Sequence, residues 1–351
     1  MRARIGLITV VLFFVMNCSS VFAEQALLDK VKNAIGKTEI KQEYKNLIGN
    51  TEDILKNLNN QTDNIDSREF GKIFGSVEGL VGKNAEAVKA AVEKQLPGVI
   101  EGIKKQLEKT PTNTKLLIKL AIAYEFGAQY SLALTVAEKI LVLEPGNYNA
   151  AMIKAECFKL MGETEKGAAY LEKFMKDKLN NPDLSQLLAS MKMDMGQEDK
   201  AINELESAIG KFPDGNELYK ELAKYYGEVG EKEIHLFVDG KKVNFAKYGD
   251  SQPLVKNGFT MVPIRVAADC LGADISYQPK TGTVTLTYKG KKIVLKENEN
   301  KAKVNKKEIK IDAAVQNIKG RIMVPLRFVS EQFSKDAAWF PFNKYGIISL
   351  N

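Results

Sequence analysis

The sequence predicts a multidomain chain in which an all-α helical-repeat solenoid is followed by a small α+β domain with an antiparallel sheet. Three observations carry this. Ala121, Ala155, Ala189 and Ala223 fall at steps of 34, as do Ala133, Gly167 and Ala201, and Pro145 lies two such steps before Pro213. Met261-Val262-Pro263-Ile264-Arg265 recurs 62 residues later as Met323-Val324-Pro325-Leu326-Arg327. Near Gly230 the apolar spacing changes from a helical 3.6 to a strand-like 2. Fixed-step repeats mark units that bury a core shared with their neighbours, and such arrays hold partners more often than they perform chemistry.

Residues 1–23 read as a signal peptide. Arg2 and Arg4 supply a basic start, Ile5 to Met16 an apolar run, and Val21-Phe22-Ala23 a cleavage site near Ala23. That run is short for a membrane span, and no other stretch approaches about 18 uninterrupted apolar residues. The mature chain is therefore expected to carry no membrane span and to be secreted or held in the cell envelope. Cys18 raises a lipoprotein alternative, which Asn17 immediately before it disfavours. Residues 24–83 are helical in pattern, with Leu27, Leu28, Val31, Ala34 and Ile35 on one stripe, and suggest no function.

Residues 84–232 carry the 34-residue period. In the first clear unit Leu117, Leu120, Ala121 and Tyr124 mark one helix, and Tyr130, Ala133, Ala137 and Ile140 the next, closed by Glu144-Pro145. Ala151, Ala155 and Phe158 repeat the first, with Gly162 in the turn and Gly167, Leu171 and Phe174 after it. Leu188, Ala189, Gly196, Ala201, Leu205, Ala208 and Pro213 give a third unit, and Ala87 and Pro111 suggest a weaker one upstream. Small residues recur where helices cross closely, and proline follows a helix end that it cannot continue.

This pattern resembles the tetratricopeptide repeat over roughly residues 114–230. It departs at Lys192, which occupies a usual aromatic position, and at Leu179, where a closing proline is expected and Pro182 arrives late. The resemblance implies a curved array whose inner helices line a groove for a protein or peptide. By register the groove-facing candidates are Lys115, Ile118, Ile122, Glu125, Asn149, Met152, Glu156, Lys159, Gln186, Ser190 and Met193. The alternative is that a short array only spaces two modules. Glu217 to Gly227 reads as a final helix that caps the stack.

In residues 233–351, Leu236, Val238 and Val243 around Asp239-Gly240 read as a hairpin, because Asp-Gly favours a tight turn between twisted strands. Thr283 to Thr287 alternates, Lys289-Gly290 turns, and Lys292 to Leu295 returns. Thr260-Met261-Val262 is a strand that hands over to a helix at Pro263, placed at the first helical position. The second copy does the same at Pro325, with Phe328, Val329 and Phe333 on the helix and Trp339 where the first copy has Tyr277.

The two ordered hallmarks, together with Val238-Asp239-Gly240-Lys241 and Val304-Asn305-Lys306, resemble the copper amine oxidase N-terminal domain, or stalk domain. The resemblance implies a small antiparallel sheet packed on helix, an appendage separate from the copper site. Oxidase chemistry in that family needs copper-binding histidines and a tyrosine matured into a quinone. This chain has one histidine, His235, and its Tyr345 lacks the Asn-Tyr-acidic setting. Pro263, Arg265, Pro325 and Arg327 read as structural motif residues, each arginine anchoring a strand-to-helix junction through a carboxylate or a loop carbonyl.

Composition narrows the function. Cys157 and Cys270 lie in different domains outside any Cys-x-x-Cys pair, so neither a disulfide framework nor a thiolate metal site is implied, and they read as inert core thiols. No cofactor, metal or catalytic residue is nominated. From Ile234 onward 20 Lys and Arg stand against 10 Asp and Glu, a net of +10, while residues 24–233 carry −5. The basic module suits an anionic cell-wall polymer or a plain solvated surface, and without interleaved aromatics it does not suit nucleic acid. The reading is a noncatalytic exported envelope protein whose repeats bind protein and whose stalk-like domain mediates attachment or assembly. Two alternatives stand beside it: polymer or carbohydrate binding with the repeats as spacer, and a hydrolase site drawing on residues 24–83.

Overall fold

The structure, a computed structural model, describes residues 97, 98, 100–177, 181–249 and 251–351. The signal peptide, the segment 24–83, Ala87 and Leu179 lie outside the described residues. Compactness divides the chain between Leu179 and Asn180, and the two units are taken in turn.

The first unit is helical: α1 (100–109), α2 (Thr114–Phe126), α3 (Tyr130–Leu143), α4 (Tyr148–Leu160) and α5 (Thr164–Asp177). Loops of a few residues fold each helix back on the one before, and α2 packs on α3, α3 on α4 and α4 on α5. Ala121, Ala133, Ala137, Ala150 and Ala155 are fully buried, so the close crossings fall where the sequence places small residues. Asn113 starts α2 by accepting from the Leu116 N–H, and Asn147 starts α4 by accepting from the Ala150 N–H. Gly162 turns from α4 into α5 at φ 80°, and Ala128 occupies the matching left-handed position at φ 53°.

The second unit joins three helices to the sheets. They are α6 (Pro182–Asp194), α7 (Glu198–Lys211) and α8 (Asn216–Val229). Asn181 caps α6 with bonds from the Asp183 and Leu184 N–H groups, and Pro182 opens the helix. The late proline is thus a helix starter, where its missing N–H costs nothing, rather than the close of the preceding unit. Lys192, at the usual aromatic position, is buried and paired with Glu204 at 3.4 Å.

The strands are β1 (His235–Val238), β2 (Lys241–Lys242), β3 (Leu254–Lys256), β4 (Phe259–Pro263), β5 (Asp274–Gln278), β6 (Thr283–Tyr288), β7 (Lys291–Lys296), β8 (Lys301–Val304), β9 (Lys307–Lys310), β10 (Gln316–Ile318), β11 (Arg321–Pro325), β12 (Ala337–Phe342) and β13 (Tyr345–Leu350). Helices α9 (Ile264–Leu271) and α10 (Leu326–Phe333) follow β4 and β11. Three sheets result, ordered β12-β13-β1-β2, β10-β11-β4-β3 and β5-β6-β7-β8-β9.

Both motif prolines end their strands and stand at the N-cap, one residue earlier than the sequence reading placed them. Their ψ angles of 120° and 136° are extended, so each closes a strand while its carbonyl begins the helix. In the middle sheet the two copies pair with each other, Met323 opposite Pro263, Val324 opposite Val262 and Pro325 opposite Met261. The flanking sheets exchange hairpins between the copies. The β1-β2 hairpin that opens the first copy joins β12-β13 of the second, with β1 parallel to β13, and β8-β9 of the second joins β5-β6 of the first through β7.

Strand β1 is buried on both faces. Leu236 and Val238 enter the core of the sheet domain with Val262, Val324, Ile348 and Leu350. Phe237 points the other way and joins Phe340, Phe342, Ile347, Tyr219, Leu222 and Tyr226 in a second cluster. Helix α8 therefore covers the sheet with its aromatic face instead of merely capping the helices, and keeps Lys220 and Lys224 outward, paired with Glu217 and Glu221. The change of period near residue 232 falls inside this continuous packing.

Candidate partner-binding surface

Eight of the eleven groove candidates lie in the first unit. On α2, Lys115 is exposed, Ile118 and Ile122 are half-buried against the helical core, and Glu125 is half-buried one turn further. On α4, Asn149, Met152, Glu156 and Lys159 are half-buried. The surface holds apolar groups that keep part of their area in water, beside acids that lose much of theirs.

The structure brings Glu125 and Glu156 into hydrogen-bonding contact. Burial pushes the Glu125 carboxyl well above the usual carboxylate range, and the Glu156 charge and hydrogen bond push the same way. Burial also raises Glu156, against the hydrogen bond from Glu125 and the Lys159 charge. Two carboxyls in contact share a proton more readily than both ionise, so the pair acts as a hydrogen-bonded polar patch. Cys157 beside them is buried, and desolvation holds its thiol protonated far above the ordinary range.

Gln186, Ser190 and Met193 lie on α6 in the second unit, all half-buried. Ser190 is hydrogen-bonded to Tyr225, and Met193 packs against the aromatic cluster of α8 and the sheet. Arg327 pairs with Asp312 at 3.2 Å in an exposed contact, while Arg265 is exposed with no carboxylate partner among the described residues.

One polar cluster has no local sequence signal. The Tyr226 hydroxyl donates to Glu206 at 2.5 Å, and the Lys242 ammonium donates to Glu206 at 2.8 Å and to the Tyr226 oxygen at 2.9 Å. His235 stacks on Tyr226 with centroids 4.4 Å apart, its Nε2 buried and 3.9 Å from Glu231. Burial, with the Lys242 charge, lowers the imidazole to about 4. Contributions from α7, α8, β1 and β2 meet only in the folded chain.

Comparison with known proteins matches both regions. Residues 237–344 match the copper amine oxidase N-terminal domain. Residues 127–208 match the family model described as anaphase-promoting complex, cyclosome, subunit 3, which lies within the helical repeats. None of the curated proteins matches the chain. Among solved structures, MamA is 24% identical, covering 41% of this chain and 84% of that one, with a TM-score of 0.34. A thermophilic TPR protein in Thermus thermophilus is 19% identical, covering 43% and 87%, with a TM-score of 0.34. YrrB, described as a TPR protein with an unusual peptide-binding site, is 15% identical, covering 43% and 77%, with a TM-score of 0.31.

By its own helix pairs the fold is a tetratricopeptide-like helical repeat region, followed by a sheet-rich domain similar to the copper amine oxidase N-terminal domain. Neither matching family supplies a catalytic domain. The copper in that family's name does not fit this chain. His235 is its one histidine, stacked on Tyr226 with Nε2 turned inward, and no group of three or more His, Cys, Asp or Glu suited to a metal occurs among the described residues.

Proposed function

We propose that this protein is a noncatalytic, exported component of the cell envelope whose helical repeats capture a protein or peptide while its basic C-terminal domain mediates attachment or assembly. The observation that carries the first part is the face of α2 and α4, where Ile118, Ile122 and Met152 remain half-exposed beside the Glu125–Glu156 pair. Apolar anchors at a groove centre, bordered by polar groups, supply most of the energy of a typical interface. Export rests on Arg2, Arg4 and the apolar run that follows them. The experiment is affinity capture from envelope fractions with the full chain and with an Ile118→Asp, Ile122→Asp, Met152→Asp variant. The reading expects the variant to keep its helical circular dichroism and lose the captured partner. Equal capture by a helical variant would reduce the repeats to a spacer.

A further inference from the structure

The outer face of the β5-β9 sheet gathers lysines that the sequence spreads over strands and turns. Side chains along these strands alternate, and Val284, Leu286, Ile293, Leu295 and Ala302 point into the core. The opposite parity brings Lys292, Lys296, Lys301, Lys303 and Lys310 to one surface, all exposed, with Asp274 and Glu308 as the strand acids among them. Residues 274–310 hold 10 Lys against 4 Asp or Glu, a net of +6.

Stability alone gives no reason for this placement. Lys301 and Lys310 are direct cross-strand partners, an arrangement of like charges that weakens a sheet. Lys301 also pairs with Glu308 at 2.8 Å and Lys296 with Glu299 at 2.9 Å, in exposed contacts that contribute little. Lys292, Lys303 and Lys310 have no carboxylate partner among the described residues.

The same face selects the occupant. Neighbouring strands set charges about 5 Å apart, and same-face residues along a strand about 7 Å apart, a grid that engages a chain with closely repeated charge better than a single ion. Ser276, Thr285 and Thr287 line the face beside the lysines, Ser276 opposite Thr285 and Thr287 opposite Lys292, and offer hydroxyls to a hydroxyl-rich ligand. The aromatic side chains of these strands, Tyr277 and Tyr288, take the core-side parity and leave no platform on which nucleobases could stack. We propose that the outer face of this sheet binds an acidic polysaccharide through Lys292, Lys296, Lys301, Lys303 and Lys310. Binding here is independent of partner capture by the repeats, which uses other elements.

The test measures retention of the full chain on immobilised polygalacturonate, with poly(glycerol phosphate) and single-stranded DNA as competing probes. The wild-type chain should bind polygalacturonate at least about tenfold more tightly than either competitor at matched charge, and lose about tenfold or more between about 50 mM and about 300 mM salt. Lys292→Glu, Lys303→Glu, Lys310→Glu should weaken binding by more than about tenfold, and the Gln triple variant by a smaller factor. A control of equal net charge, Lys247→Glu, Lys256→Glu, Lys344→Glu, should change it by less than about threefold. Circular dichroism identifies variants that fail to fold, and the Gln series then decides alone. Equal loss in the face and control variants, no binding at low salt, or preference for either competitor would overturn the proposal.

Discussion

Val262 and Val324, sixty-two residues apart in the chain, are directly opposite one another on antiparallel strands at the centre of the middle sheet. Their neighbours match in reverse, Met261 with Pro325 and Pro263 with Met323, so the two copies of the motif meet about a local two-fold axis. Within one chain such an arrangement sets equivalent positions of the two copies against each other, so Val262 and Val324 share one contact.

That pairing predicts coupling. Val262→Ala and Val324→Ala each remove a fully buried side chain and should each cost about 2 kcal/mol in denaturant unfolding. The double variant should depart from the sum by about 0.5 kcal/mol or more, because both changes open the same space. Strict additivity in a double-mutant cycle would show that the two valines do not share a contact.

Ala128 holds a left-handed φ of 53° at the repeat position where Gly162, Gly196 and Gly230 have 80°, 68° and 77°. A side chain in that region costs on the order of 1 kcal/mol, and glycine avoids it. Ala128→Gly should raise the thermal midpoint of the helical repeats, and a lower midpoint would show that the lost chain stiffness outweighs the relieved strain.

His235 gives a pH signature. Its imidazole is held at about 4 in the folded protein, while the unfolded chain titrates at its ordinary value near 6.5. Between these values the unfolded state binds more protons, so stability falls as pH drops from about 6.5 to about 4, by about 3 kcal/mol in all. Glu206 on α7, Tyr226 on α8, Glu231 and Glu233 before β1, and Lys242 on β2 surround it. His235→Phe keeps a ring against Tyr226 without a proton to take up. Acidification should therefore destabilise the wild type relative to the variant, and a constant difference between their unfolding free energies across that window would contradict the burial of a neutral imidazole.

The seam between α8 and the β12-β13-β1-β2 sheet predicts how the chain can be cut. Tyr219 stacks on Phe340 at 5.0 Å and meets Phe237 edge-on at 5.5 Å. A fragment of residues 233–351 would expose Phe237, Phe340, Phe342 and Ile347. It should bind hydrophobic dyes or associate, whereas a fragment of residues 181–351 should unfold cooperatively as a monomer. Tyr219→Ala in the longer fragment should cost about 3 to 5 kcal/mol. A well-behaved, dye-free 233–351 fragment would show that the seam is dispensable.

The fold class, the helix pairs and the hairpins at Asp239-Gly240 and Lys289-Gly290 are legible in the sequence because each follows from spacing within a few turns of chain. Asn113, Asn147 and Asn181, 34 apart, are an equally readable cap signal that the apolar pattern overshadows. The half-buried positions of Ile118, Ile122 and Met152 also follow from helical period alone. Spacing does not report which strands pair when they are far apart. The Val262–Val324 contact and the parallel pairing of β1 with β13 depend on chain segments separated by sixty residues or more, and are set by which faces can be buried together. For the same reason the helical wheel of α8 shows an amphipathic face, yet only the folded chain shows that a sheet covers it, and the lysines of β7 to β9 become one surface only when period 2 and strand order act together. Local periodicity determined the elements of this protein, and the tertiary structure decided their partners, because burial is a property of the whole chain and not of any window within it.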